Sequence, residues 1–267
     1  EVMRRGLEYT KMFNKPVISH CEDKTLTADG VMNEGYISAI LGLRGMPGIA
    51  EEVMIYRDIA LAERTGGKIH IAHITTAKAV ELVRQAKQHG IAVTAEVSPH
   101  HLVLTDDAIK TSDFDTNFKV NPPLRTKEDI AALRQGLRDG TIDTIASDHA
   151  PHSPEKKDVE FNVAPFGIIG LESTLPILLT ELVHKKVISL KEIITALTIN
   201  PARILGINKG TLSPGADADI TIIDLNKKWV IDPAQFKSKS RNCPFTGWKV
   251  QGRAVKVIIG GRLIDLK

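Results

Sequence analysis

The sequence is short of cysteine, of long apolar runs and of charge of one sign. Its 267 residues include two cysteines, Cys21 and Cys243, far apart and outside any CxxC pattern. That excludes a disulfide framework and a cysteine zinc site, and points to a reducing, cytoplasmic home. No apolar stretch reaches the roughly 18 residues of a membrane span, and no charged-then-apolar leader opens the chain, so a soluble, untargeted protein is expected. The 35 basic and 32 acidic residues leave a net charge of +3 and form no long like-charged block. A dedicated nucleic-acid surface is therefore not expected. The hydrophobic share of 42% is that of an ordinary globular protein with a sizeable core.

Short β-branched runs alternate with helical patterns. Strands are expected over 16–20, 68–74, 91–97 and 142–148, and helices over 2–14, 50–65, 77–89, 127–138, 171–183 and 190–198. The alternation predicts βα units around a parallel sheet. Gly66, Gly90 and Gly140 follow helical stretches, where left-handed caps belong. From residue 208 a turn and short strands without helices predict a small β segment. Four βα units cannot close a barrel, which needs eight strands. An open sheet or half a barrel are the alternatives. Glu1 precedes Met3, and 2–14 reads as the middle of an element, so the chain is expected to start partway through a fold.

His20, His73 and Asp148 each end a predicted strand. Barrel enzymes gather catalytic groups at such ends. Neutral imidazole and carboxylate suit a divalent metal, and the carboxylate can also carry a proton. A single histidine at a strand end is more often structural, and Asp148 alone would serve as a turn cap. Three matching ends point instead to one ion. His70 is expected to face the helical layer as a structural residue, and His89 and His184 to be solvated on helices.

The stretches VISHCED at 17–23, EVSPHHL at 96–102, KVNPPLR at 119–125 and SDHAPH at 147–152 resemble the dihydroorotase family of the amidohydrolase superfamily. GTLSPGADADI at 210–220 resembles the β segment that ends many members, and the likeness spans essentially the whole chain. It implies an α/β fold: the second half, strands five to eight, of a (β/α)8 hydrolase barrel over 1–207, a C-terminal β segment over 208–267, and an N-terminal half absent from this chain. It implies reversible cyclisation of N-carbamoyl-L-aspartate to L-dihydroorotate in pyrimidine biosynthesis, by metal-activated hydroxide. His20, His73 and Asp148 match metal ligands, Asp148 also shuttling the proton. Asn121 and His152 match substrate-holding groups, and Phe166 with Gly167 a backbone contact to the pyrimidine ring.

The implied cofactor is Zn2+, two per complete site, although other divalent metals share such ligands. Asn121 offers both donor and acceptor, but before two prolines it also suits a plain turn. Arg125 has a structural pairing as its alternative. The sequence departs from the family in lacking a His-x-His pair and a strand-four bridging lysine or aspartate. Alone it is expected to be incomplete for catalysis and to need the missing half of the barrel. Another cyclic amidohydrolase, such as an allantoinase or hydantoinase, is the nearest rival. A silent subunit scaffolding aspartate transcarbamoylase is a further one, and a homodimer stays open.

Overall fold

Alternating β-branched residues build a parallel sheet in a computed structural model that describes residues 1–266. The strands are β1 (Pro16–Ser19), β2 (Met32–Asn33), β3 (Gly45–Met46), β4 (Lys68–Ile71), β5 (Val93–Val97), β6 (Thr144–Ile145), β7 (Ile220–Val230), β8 (Lys249–Ile259) and β9 (Arg262–Asp265). The main sheet runs β1-β4-β5-β6, all parallel. Val17 lies opposite Ile69, which lies opposite Val93, and Ile71 opposite Ala95. Ile69, Ile71, Ala95 and Val97 pack with Leu7, Ile55, Val80 and Val83 from the helices Val2–Lys11, Ile49–Thr65 and Ala77–Gln88. Each large aliphatic side chain so buried contributes about 1.5–3 kcal/mol. Gly66 and Gly140 close their helices in left-handed conformation, as the sequence predicts, while at the N-termini Thr76 accepts from Ala79 N and Thr126 forms a capping box with Asp129.

The other face of this sheet carries Ile18, His70, Thr94 and Glu96. His70 therefore does not face the helical layer. Ile69 and Ile71 take that side, and the two-residue period of a strand turns His70 to the opposite one. There its Nδ1 lies 2.8 Å from Thr94 Oγ1 and its Nε2 3.0 Å from Glu96 Oε2. Ile18 on the same face is 56% exposed.

Several elements depart from their expected lengths, among them the helix expected over 2–14, which ends at Lys11, and the strand expected over 91–97, which starts at Val93. The strand expected over 142–148 pairs only at Thr144–Ile145, and that expected over 68–74 stops at Ile71, because the backbone turns left-handed at Asp148 (φ 48) and His73 (φ 31). The helix expected over 171–183 starts at Thr174 and widens into a π turn over Leu179–Val183. Thr180 there accepts from Gln251 N at 2.9 Å, tying the widened turn to β8. The C-terminal strands form an antiparallel β7-β8-β9 sheet, with β7 and β8 longer than their apolar runs suggest. A second core joins Leu104, Val120, Leu124, Ile168 and Ile177 to Ile231, Cys243, Phe245 and Val250, so the C-terminal segment shares its interior with the preceding helices. Among the described residues no helix is long and apolar enough to cross a membrane.

Candidate active site

The end of β1 is anchored from behind. Ser19 Oγ donates to the buried Asp58 carboxylate at 2.6 Å, and the Arg57 guanidinium holds its other oxygen at 2.6 and 2.8 Å. The next residue, His20, projects from the open face with Nδ1 3.0 Å from His73 Nε2 and Nε2 3.2 Å from Glu22 Oε2. The same Glu22 oxygen accepts from Asn121 Nδ2 at 3.2 Å, and Oε1 accepts from Thr27 Oγ1 at 2.8 Å. Burial pushes the Glu22 carboxyl up, but the hydrogen bonds from Thr27, Asn121 and His20 together outweigh it and hold it below the usual range. An ionised Glu22 only accepts, so His20 Nε2 donates to it, and in the neutral imidazole that leaves the Nδ1 lone pair toward His73.

His73 is held in its left-handed turn from both sides: Ala72 N donates to Ser19 O and Ile74 N to Glu96 O, each at 2.9 Å. Asp148 is held likewise, with Ala146 N on Val97 O at 3.1 Å and Ala150 N on Ile168 O at 2.8 Å. Such conformations cost roughly 1–3 kcal/mol and persist where neighbours over-determine them, most often at functional sites. Burial holds the His73 imidazole below its usual range, and the Asp148 charge opposes that shift. Among the described residues no three or more His, Cys, Asp or Glu side chains stand close enough together to hold an ion. The structure thus brings His20 and His73 into contact and leaves Asp148 within electrostatic reach. The 3.0 Å approach of the two nitrogens serves either a hydrogen bond from His73 or two lone pairs on one cation. Ligands about 2.0–2.1 Å from a tetrahedral zinc lie little further apart, so the pair fits a metal. The buried His73 Nδ1 has no partner among the described residues.

His152 follows Asp148 on the same loop, and its Nε2 donates to Phe166 O at 2.8 Å. Gly167 is fixed by hydrogen bonds at both its N–H and its carbonyl. Its N–H donates to Lys119 O at 2.9 Å, and its carbonyl accepts from Lys157 Nζ and Asn242 Nδ2, both at 3.1 Å. With φ at 122°, and a Cβ there meeting Ala150 Cβ at 2.6 Å, only glycine fits the turn. A cavity of about 420 Å³ opens beside His152, lined also by Asn117, Lys157, Arg241 and Asn242. His20, His73 and Asp148 do not line it. Arg125 is structural: its buried guanidinium donates to Asn33 Oδ1 and Met46 O at 2.8 Å and to Thr75 Oγ1 at 3.1 Å, and lies 3.8 Å from Glu51.

Sequence reasoning missed Glu22 and Glu96. Glu22 lies two residues after His20 inside VISHCED, the one signal that could have found it. Glu96, bonded to His70, also acts electrostatically on His73, a relation that needs the strand register.

The protein named dihydroorotase in Pelotomaculum thermopropionicum is 56% identical over 263 residues, 98% of this chain and 61% of that relative. The dihydroorotase of Endomicrobium trichonymphae is also 56% identical, over 265 residues, 99% of this chain and 62% of the relative. The chain therefore spans about three fifths of the length of these curated relatives. Among solved structures, the L-hydantoinase (dihydropyrimidinase) of Arthrobacter aurescens aligns with a TM-score of 0.89 at 29% identity, covering 99% of this chain and 60% of that one. The dihydropyrimidinase of Brevibacillus agri aligns at 0.86 and 27%, covering 98% and 59%. The family model described as the amidohydrolase family matches residues 1–264, and the chain belongs to that family.

Proposed function

We propose that the chain carries the metal pair and substrate loops of a dihydroorotase, which interconverts N-carbamoyl-L-aspartate and L-dihydroorotate. The observation that carries this reading is the Glu22 bridge, which joins His20, faced by His73, to the amide of Asn121. One carboxylate thus fixes a ligand nitrogen and a group suited to recognising a cyclic amide. The relatives named dihydroorotase supply the substrate, and their 56% identity favours it over the hydantoinase reading suggested by structures 27–29% identical.

The roles follow from the side chains. His20 Nδ1, His73 Nε2 and Asp148 would hold a divalent ion, zinc by preference. Such an ion supplies Lewis acidity toward the amide carbonyl and lowers the pKa of water. Asp148 accepts the proton of the attacking water and returns it to the departing ring nitrogen. Asn121 pairs with the substrate amide. His152, its Nε2–H taken by Phe166 O, has Nδ1 left as the atom for the substrate carboxylate. The Phe166 amide faces the ring.

The parallel sheet is read as strands five to eight of an eight-stranded barrel, because among the described residues β1 and β6 pair with no further strand in it and Ile18 stays exposed on its inner face. The buried free thiols of Cys21 and Cys243 suit a reducing cytoplasm. A panel of L-dihydroorotate, hydantoin, allantoin and dihydrouracil, run on the intact protein at fixed metal content, tests the assignment. Turnover is expected for L-dihydroorotate. Turnover of hydantoin or allantoin in its place would transfer the site to the rival enzymes.

A further inference from the structure

Two lysine ammonium groups are buried in the loops behind His152, and neither has a carboxylate within hydrogen-bond range among the described residues. Lys119, 2% exposed, donates from Nζ to Phe161 O at 2.8 Å and Asn162 O at 2.9 Å, with its charge 4.8 Å from the centre of the Phe166 ring. Lys157, 7% exposed, donates to Pro165 O at 2.9 Å and Gly167 O at 3.1 Å. Burying an ammonium is costly, and a methionine would fill either space without that cost. What the charges supply is direction. Four carbonyls of the 161–167 loop are turned toward the lysines, while Gly167 N–H closes on Lys119 O at 2.9 Å. Lys119 also stands two residues before Asn121, so one residue knits the Asn121 turn to the Phe166 loop.

We propose that Lys119 and Lys157 are positioning residues for substrate affinity, which hold the Phe166 amide and the Asn121 turn at a fixed spacing. Neither touches substrate. The inference rests on the dihydroorotase reading for its kinetic form but not for its structural one. In the intact, metal-loaded protein, Lys157→Met and Lys119→Met are expected to raise KM for L-dihydroorotate about 10-fold or more while metal content holds and kcat changes little, since losing a charged hydrogen bond at a binding loop is worth about a tenfold factor. Lys119→Arg, which keeps a cation but not the compact ammonium, is expected to recover part of the affinity. A purely structural role would lower the melting temperature and the active fraction and leave KM where it was, and that result overturns the proposal.

Hydrogen exchange of the substrate-free protein separates this idea from the enzyme assignment. Gly167 N–H is expected to exchange faster in Lys157→Met than in wild type, even if the wild type turns over hydantoin instead. Unchanged exchange at Gly167 in Lys157→Met would overturn the clamp whatever the substrate proves to be.

Discussion

The proposed site gives two carboxylates, Asp148 and Glu22, separate duties. The Asp148 charge acts on His73 from a left-handed turn at a strand end. Asp148→Asn in the intact protein is expected to lower kcat by about 100-fold or more, read by dihydroorotate turnover with the fold unchanged by circular dichroism. Glu22→Gln keeps the shape but weakens the hold on His20 Nε2–H. A drop of about 10- to 100-fold in metal affinity, measured by chelator competition, is expected, as for other carboxylates behind a ligating histidine. At this scale the contact of His20 with His73 was legible, because both end strands, while Asp148 stands outside any cluster of three such side chains among the described residues. Glu22 was not, because its partner Asn121 lies 99 positions away and only the fold joins them. Gly167 was legible only as a Pro-Phe-Gly trace, which a tight turn and a substrate contact share in a sequence.

At the scale of elements, the loops after the strands are fixed by buried polar groups. Arg125 ties the Thr75 turn to β2 and β3 through Asn33 and Met46, and Glu51 accepts from Thr75 N at 2.7 Å. Arg125→Met leaves Glu51 buried without its counter-charge and is expected to cost about 3–5 kcal/mol in chemical denaturation. The clamp loop carries a pH signature. Burial pulls Lys119 down to about 8, and burial with the Lys119 charge pulls Lys157 down to about 8, each from 10.5. Between those values the unfolded chain binds more protons than the folded one, so stability contributed by these groups rises with pH from 8 to 10.5. Denaturation curves across that range should show a flatter rise in Lys157→Met than in wild type. The βα alternation and the glycine caps were readable because helices and strands carry periods. β2 and β3, two residues each, are too short to show one. The π turn over Leu179–Val183 depends on Gln251, which no local pattern announces.

Across the whole molecule, four parallel strands present one face to helices and the other, bearing Ile18, His20 and His70, to the site. The second core carries the C-terminal strands into the same body through Phe245 and Val250. The parallel arrangement was visible in the sequence, but the sharing of a core across residue 208 was not, since contacts between distant segments have no period. The central claim is that His20, His73 and Asp148 serve one cation. The direct measurement is an anomalous-difference map of the intact protein crystallised with cobalt. A peak about 2.0–2.2 Å from His20 Nδ1 and His73 Nε2, with an Asp148 oxygen in or beside the coordination shell, is predicted. Cobalt bound elsewhere, with the two imidazoles still hydrogen-bonded to each other, would contradict it.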